Sequence, residues 1–142
     1  MTARQLKAKE YLERYEDALR RVRWCQMQYA REAYLSDTIR SPSDNDGMPH
    51  GSGISNPTEK KAIKLAEKTM DIHRAKLDAR DVMREIFTVA YSIGGVEGDV
   101  IIERYIELKE WCDVYKAVNY SVSQTHRYHR LGLDKVADLL GL

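Results

Sequence analysis

Six side chains near the end of this 142-residue chain have the types and spacing to read a nucleic acid: Ser121, Ser123, Gln124, His126, Arg127 and Arg130. Gln carries a paired donor and acceptor that match adenine. Arg can make a bidentate contact to guanine or hold a phosphate. The spacing places Ser123, Gln124, His126, Arg127 and Arg130 on the outer face of a helix whose other face holds Thr125, Tyr128, Gly132, Leu133 and Val136. Ser121 precedes that helix as its N-cap, its hydroxyl accepting from the first backbone amides. Arg130 lies farther from the helix start and is better placed for the phosphate backbone.

Positioning these groups requires a tight corner and short helices around it. Asp99 is a candidate N-cap for a helix through Val100–Leu108, and a second short helix runs from Trp111 to Val118. Asn119-Tyr120-Ser121 then separates it from a longer helix, Val122 to Leu140. After Gly, Asn best tolerates the left-handed conformation that ends a helix. Tyr120 is apolar enough to plug the gap between helices. This is the anatomy of a helix-turn-helix.

The stretch Val100-Ile101-Ile102-Glu103-Arg104-Tyr105, with Trp111, Val114, Val118-Asn119-Tyr120-Ser121, Thr125, Tyr128-His129-Arg130 and Leu133, resembles sigma factor region 4. It departs in Asn119 where Gly is usual, Tyr115 where Ala is usual, and Gly132 in place of Ala. Tyr115 puts bulk at a close helix contact and implies a shifted packing angle. The whole chain resembles the late-gene transcriptional regulators of Gram-positive phages, the RinA/ArpU type, and Pro49–Lys60 resembles the Gly/Ser-rich connector of that group. The resemblance implies sequence-specific binding to double-stranded promoter DNA and activation of phage structural, packaging and lysis genes. It also implies host RNA polymerase as a possible partner.

Upstream, residues 3–36 hold neither Gly nor Pro, and Tyr11, Tyr15, Ala18, Val22, Cys25 and Tyr29 recur at helical steps. Residues 58–93 repeat the pattern with Ile63, Ala66, Met70, His73 and Leu77, then Met83, Ile86, Ala90 and Ile93. Thr58 is a candidate N-cap and Gly94 a candidate stop. Each helix would run about 50 Å at 1.5 Å per residue. Neither can bury its stripe alone, so an antiparallel hairpin is expected, with His73 tuning register and self-association into a homodimer or higher oligomer. The expectation is an all-α chain: a hairpin over 1–93 with a flexible loop at 41–57, then a helix-turn-helix domain over 97–142. The loop holds all three prolines and the glycines Gly47, Gly51 and Gly53.

Composition limits the alternatives. Charged residues make up 32% and hydrophobic ones 43%, which suits a folded helical chain rather than a disordered one. No apolar run approaches the roughly 18 residues of a membrane span. The first residues lack a signal sequence, so the cytoplasm is expected. The net charge of +1 argues against an easy nucleic-acid assignment. It averages a basic first segment, nine basic against six acidic groups over residues 1–41, with an acidic last one, six against eight over residues 97–142. Those acids, Glu103, Glu107, Glu110 and Asp113, precede the reading helix.

Asp44-Asn45-Asp46-Gly47 lacks the partners of a calcium loop, and Gly94-Gly95 with Gly98 reads as a hinge rather than a nucleotide fingerprint. His126 and His129 have metal-compatible spacing but no completing ligand nearby, and Cys112 reads as a small buried hydrophobe. No catalytic set, metal or cofactor is expected, and no enzyme. A packaging protein such as a small terminase subunit would place its DNA-binding element first, which disfavours that alternative. A helical adaptor that binds no DNA is the other, favoured only by the acidity of the last third. Trimming the 41–57 loop to a compact Gly/Ser turn should change stability by about 1 kcal/mol or less in urea unfolding. A trimmed chain that unfolds would make the loop packed structure.

Overall fold

The computed structural model describes residues 1–38 and 57–142. The loop expected at 41–57 lies outside the described residues except for Pro57. Every regular element is helical: α1 (Ala3–Thr38), α2 (Pro57–Ile93), α3 (Gly95–Ile101), a π-helical continuation (Ile102–Ile106), α4 (Trp111–Val118) and α5 (Val122–Leu140). Proline at the first helical position loses no hydrogen bond, so α2 begins one residue before Thr58. Thr58 therefore sits in the first turn instead of capping it.

The two long helices pack along their lengths as the expected hairpin. Ala18 and Val22 of α1 meet Ala75 and Ala79 of α2, with Tyr15, Leu19 and Cys25 beside them. Small side chains at this contact let the helices approach closely. Tyr11 donates to Glu85 at 2.8 Å, and Arg14 pairs with Glu85 at 3.2 Å while covering the Tyr11 ring at 5.0 Å. Arg14, then Tyr11, hold the Glu85 carboxyl below its usual range, and burial pushes the Tyr11 hydroxyl up to about 12.

The expected stripe holds on α1 as far as Cys25 and on α2 from Ile86 through Ala90 to Ile93, and fails elsewhere. On α1, Ala8 and Leu12 are the fully buried residues near the base, Tyr11 and Tyr15 are half-buried, and Tyr29 is exposed. On α2 the correction is larger. Ile63, Ala66, Met70, His73 and Leu77 all lie in solvent, and the contact with α1 uses Ala75 and Ala79, with half-buried Ile72 and Val82 in the same row. Two apolar rows run along this helix, and periodicity does not say which one faces the neighbour.

At its base the hairpin merges with the C-terminal helices. One core joins Leu12 of α1, Ile86 and Ala90 of α2, Ile101 of α3 and Leu133 and Val136 of α5. Gly94 and Gly95 both adopt φ of 63°, so the chain leaves α2 and restarts as α3 within one residue. This abrupt turn replaces the helix start expected at Asp99, which lies exposed inside the continuous run. Gly132 marks the closest approach of α5: a Cβ there would lie 3.0 Å from the Ile101 side chain and 3.2 Å from the Glu97 carbonyl oxygen. Polar contacts surround the joint. Gln5 donates to Asp134 at 2.9 Å, Arg4 pairs with Asp138 and donates to the Leu142 carbonyl, and Lys135 meets Glu97 at 3.2 Å.

Because hairpin and C-terminal helices share this core, removing its centre should weaken both. Ile86→Ala should cost about 2–5 kcal/mol. Urea unfolding should remain a single transition when followed by helical ellipticity and by Trp111 fluorescence, the latter in a Trp24→Phe background. Separate transitions would contradict a shared core.

Candidate nucleic-acid interface

The turn that aims α5 is built as its residues dictate. Asn119 adopts φ 62° and ψ 37°, and its amide bonds the Tyr115 carbonyl, closing α4. Ser121 turns extended and accepts the Gln124 amide at 3.4 Å through its hydroxyl. Its carbonyl accepts both the Thr125 amide at 2.9 Å and the Thr125 hydroxyl at 2.8 Å. Tyr120 does not plug the gap between helices. It lies on the surface, 40% exposed, edge-on to Tyr128 at 5.1 Å.

From this start α5 divides into two faces. Thr125, His129, Gly132, Leu133, Val136 and Ala137 are buried. Ser123, Arg127 and Arg130, at steps of four and three, share an exposed face, with Gln124 half-buried at its edge. Neither arginine has an ion-pair partner among the described residues. Of the six expected contact residues, Ser121 is spent on the cap and Ser123, Gln124, Arg127 and Arg130 border one surface.

His126 departs from that surface. Its Nε2 shares a 2.7 Å hydrogen bond with the Tyr115 hydroxyl, and its ring lies 4.6 Å from Trp111. Tyr115 is thus accommodated at the α4–α5 contact by a polar partner. Cys112, expected to be buried, is exposed on the outer side of α4.

Behind the reading face lies a buried polar pair. The Tyr105 hydroxyl and His129 Nε2 are 2.8 Å apart, and Trp111 meets the His129 ring edge-on at 4.9 Å. Tyr105 stands on the π-helical turn, whose widened step ends with Leu108 at φ 54°. Burial pushes the Tyr105 hydroxyl up, and the Glu13 carboxylate adds to the effect. Burial also pushes His129 down to about 4, helped by His126, Lys9, Arg104 and Arg130.

Those cations locate groups that linear reading did not join. Lys9 from α1 and Arg104 from the π-helix line a cleft of about 210 Å³ with Glu13, Trp111, His126 and His129. Beside it a second cleft, of about 470 Å³, is bordered by Ser123, His126, His129 and Arg130. Arg104 covers the Trp111 ring at 5.2 Å and donates to the Lys109 carbonyl at 2.7 Å. Lys9 pairs with Glu13 at 3.5 Å, and Arg104 also borders a neighbouring cleft with Glu13, Glu16 and Glu110, so acids accompany both cations at the hairpin base. Ninety-five residues separate Lys9 from Arg104 in the chain, so no spacing could have found them. Among the described residues no group of three or more His, Cys, Asp or Glu could hold a metal ion, and no helix is long and apolar enough to cross a membrane.

His129 makes stability pH-dependent. Its pKa is about 4 folded against an ordinary 6.5, so the unfolded chain binds the extra proton between those values. The neutral-His contribution is complete above pH 6.5 and lost as pH falls toward 4, amounting to roughly 3 kcal/mol. His129→Gln, which keeps a partner for Tyr105 but cannot titrate, should lose less stability than the parent between pH 7.5 and 4.5 in urea melts. Equal losses would contradict this. No family model, no curated protein and no solved structure matches the chain.

Proposed function

We propose that this chain is a sequence-specific double-stranded DNA-binding regulator of transcription, an activator of phage late genes of the RinA/ArpU type. It works in the bacterial host cytoplasm and reads a promoter with the 121–140 helix. The observation that carries the reading is the capped α4–turn–α5 unit, which leaves Ser123, Arg127 and Arg130 exposed and unpaired at the start of a 19-residue helix. Helix-turn-helix proteins lead into the major groove with that end.

The roles follow from position. Arg127, about one turn into α5, reaches a base edge, with Gln124 beside it for adenine and Ser123 on the sugar-phosphate rim. Arg130, one step further, holds backbone phosphate. Ser121 shapes the helix start, and His126 braces α5 on α4. The acids Glu103, Glu107, Glu110 and Asp113, on the π-helical turn, the segment after it and α4, keep net charge low. Host RNA polymerase and a second copy of the chain are the protein partners of this reading.

A library of random duplexes, selected on the full chain, supplies the operator, and fluorescence anisotropy measures affinity against salt. Arg127→Ala should cost roughly 1–3 kcal/mol and relax discrimination at one or two base pairs. Arg130→Ala should weaken all sequences alike and flatten the salt slope by about one unit. Unchanged affinity in both, with circular dichroism confirming the fold, would contradict DNA reading and leave the helical adaptor. Selection of packaging-site rather than promoter sequence would point to the terminase alternative.

A further inference from the structure

The back of α2 carries an apolar row that nothing among the described residues covers. Ile63, Ala66, Met70, His73 and Leu77 recur at alternating steps of three and four, and the same steps continue through Arg80 and Arg84 to Phe87 and Tyr91. All nine positions are exposed, with Ile63 at 52%, Met70 at 53% and Tyr91 at 74%. The row points away from α1, which α2 meets through Ala75, Ala79 and Ile86. A strict alternation of three and four is a period of 3.5, the seam of a left-handed coiled coil. Its length, about 42 Å at 1.5 Å per residue, is enough for a partner helix to cover an area comparable to the roughly 800 Å² per side of a stable interface.

We propose that this face pairs α2 with α2 of a second copy, antiparallel, with Leu77 of each copy beside Arg80 of the other. Charge and size select that occupant and direction. Parallel pairing would stack Arg80 on Arg80 and Arg84 on Arg84. The antiparallel pairing instead sets Arg80 beside Leu77, Arg84 beside His73, Phe87 beside Met70, and the large Tyr91 beside the small Ala66. On the flank it brings Arg74 of each copy to Asp81 of the other, and neither has an ion-pair partner within its own described residues. The back of α1 competes poorly: its exposed Trp24, Met27 and Tyr34 form a shorter row. The pairing places the two C-terminal ends of α2 about 44 Å apart. Two reading helices could then meet half-sites only when these lie farther apart than one DNA turn of about 34 Å.

The inference rests on the self-association in the proposed function and not on DNA binding. Sedimentation equilibrium of the full chain at tens of micromolar should give a dimer. Met70→Glu with Leu77→Glu should give a monomer that keeps its helical dichroism and cooperative melt. Arg74→Asp or Asp81→Arg alone should weaken the dimer about tenfold, and the two together should restore it. In a Cys25→Ser, Cys112→Ser background, Ala66→Cys mixed with Tyr91→Cys should cross-link, and neither should cross-link with itself. A monomeric parent, a dimer unaffected by the two glutamates, or self-cross-linking of Ala66→Cys would overturn the proposal. Anisotropy on duplex DNA, run in parallel, separates the two readings: a dimer that ignores DNA supports this interface and contradicts the regulator, and a DNA-binding monomer does the reverse.

Discussion

The packing of α3 between the hairpin and α5 constrains everything else. Ile101 is buried with Ile86 and Leu133, and the missing side chain of Gly132 lets α5 come down onto Ile101 and the Glu97 carbonyl. That contact fixes the direction of α5, and with it the direction in which Arg127 and Arg130 emerge. The proposed reading of DNA by α5 requires a rigid aim, because a base contact tolerates little displacement. Here the aim is set by apolar burial at the far end of the helix, and by the Ser121 cap and the Tyr105–His129 bond nearer the start.

Local chemistry explains why some of this was legible in the sequence. Asn119 and Ser121 determine where α4 stops and α5 begins through backbone groups within four residues, so those boundaries and the left-handed turn could be read directly. The long helices were legible for a similar reason, since 3–36 contains no helix breaker. The first half of the α2 face was not legible, whereas Ile86, Ala90 and Ile93 were read on the packed side. The helix carries one row ending in Ile86 and Ala90 and another running through Met70 and Leu77, both apolar, and only the position of α1 decides between them. His126 was misplaced because the helical wheel cannot see Tyr115 and Trp111 arriving from α4. Asp99 was misplaced because two successive glycines in the left-handed region let a helix restart without a cap.

The molecule separates its tasks along its length. Beyond Val22 on α1, and before Ala75 on α2, no described residue is buried, whereas the base is close-packed. Stability is concentrated where the C-terminal helices join. The rest of α2 offers a helical face whose apolar groups are more numerous than an isolated hairpin needs. An uncharged His129 is the cost of burying the polar brace behind the Ser123–Arg127–Arg130 face. That brace holds three elements, the π-helical turn, α4 and α5, in one arrangement at neutral pH.

The central claim is that the Ser123–Arg127–Arg130 face of α5 meets duplex DNA. The most direct measurement is a heteronuclear NMR titration of the folded chain with duplex DNA at low salt, following backbone amides and arginine side-chain Nε–Hε signals. The account predicts shifts concentrated at Ser123, Gln124, Arg127 and Arg130, with α2 amides between Ile63 and Leu77 unmoved. Shifts confined to the hairpin, or none at saturating DNA, would contradict it.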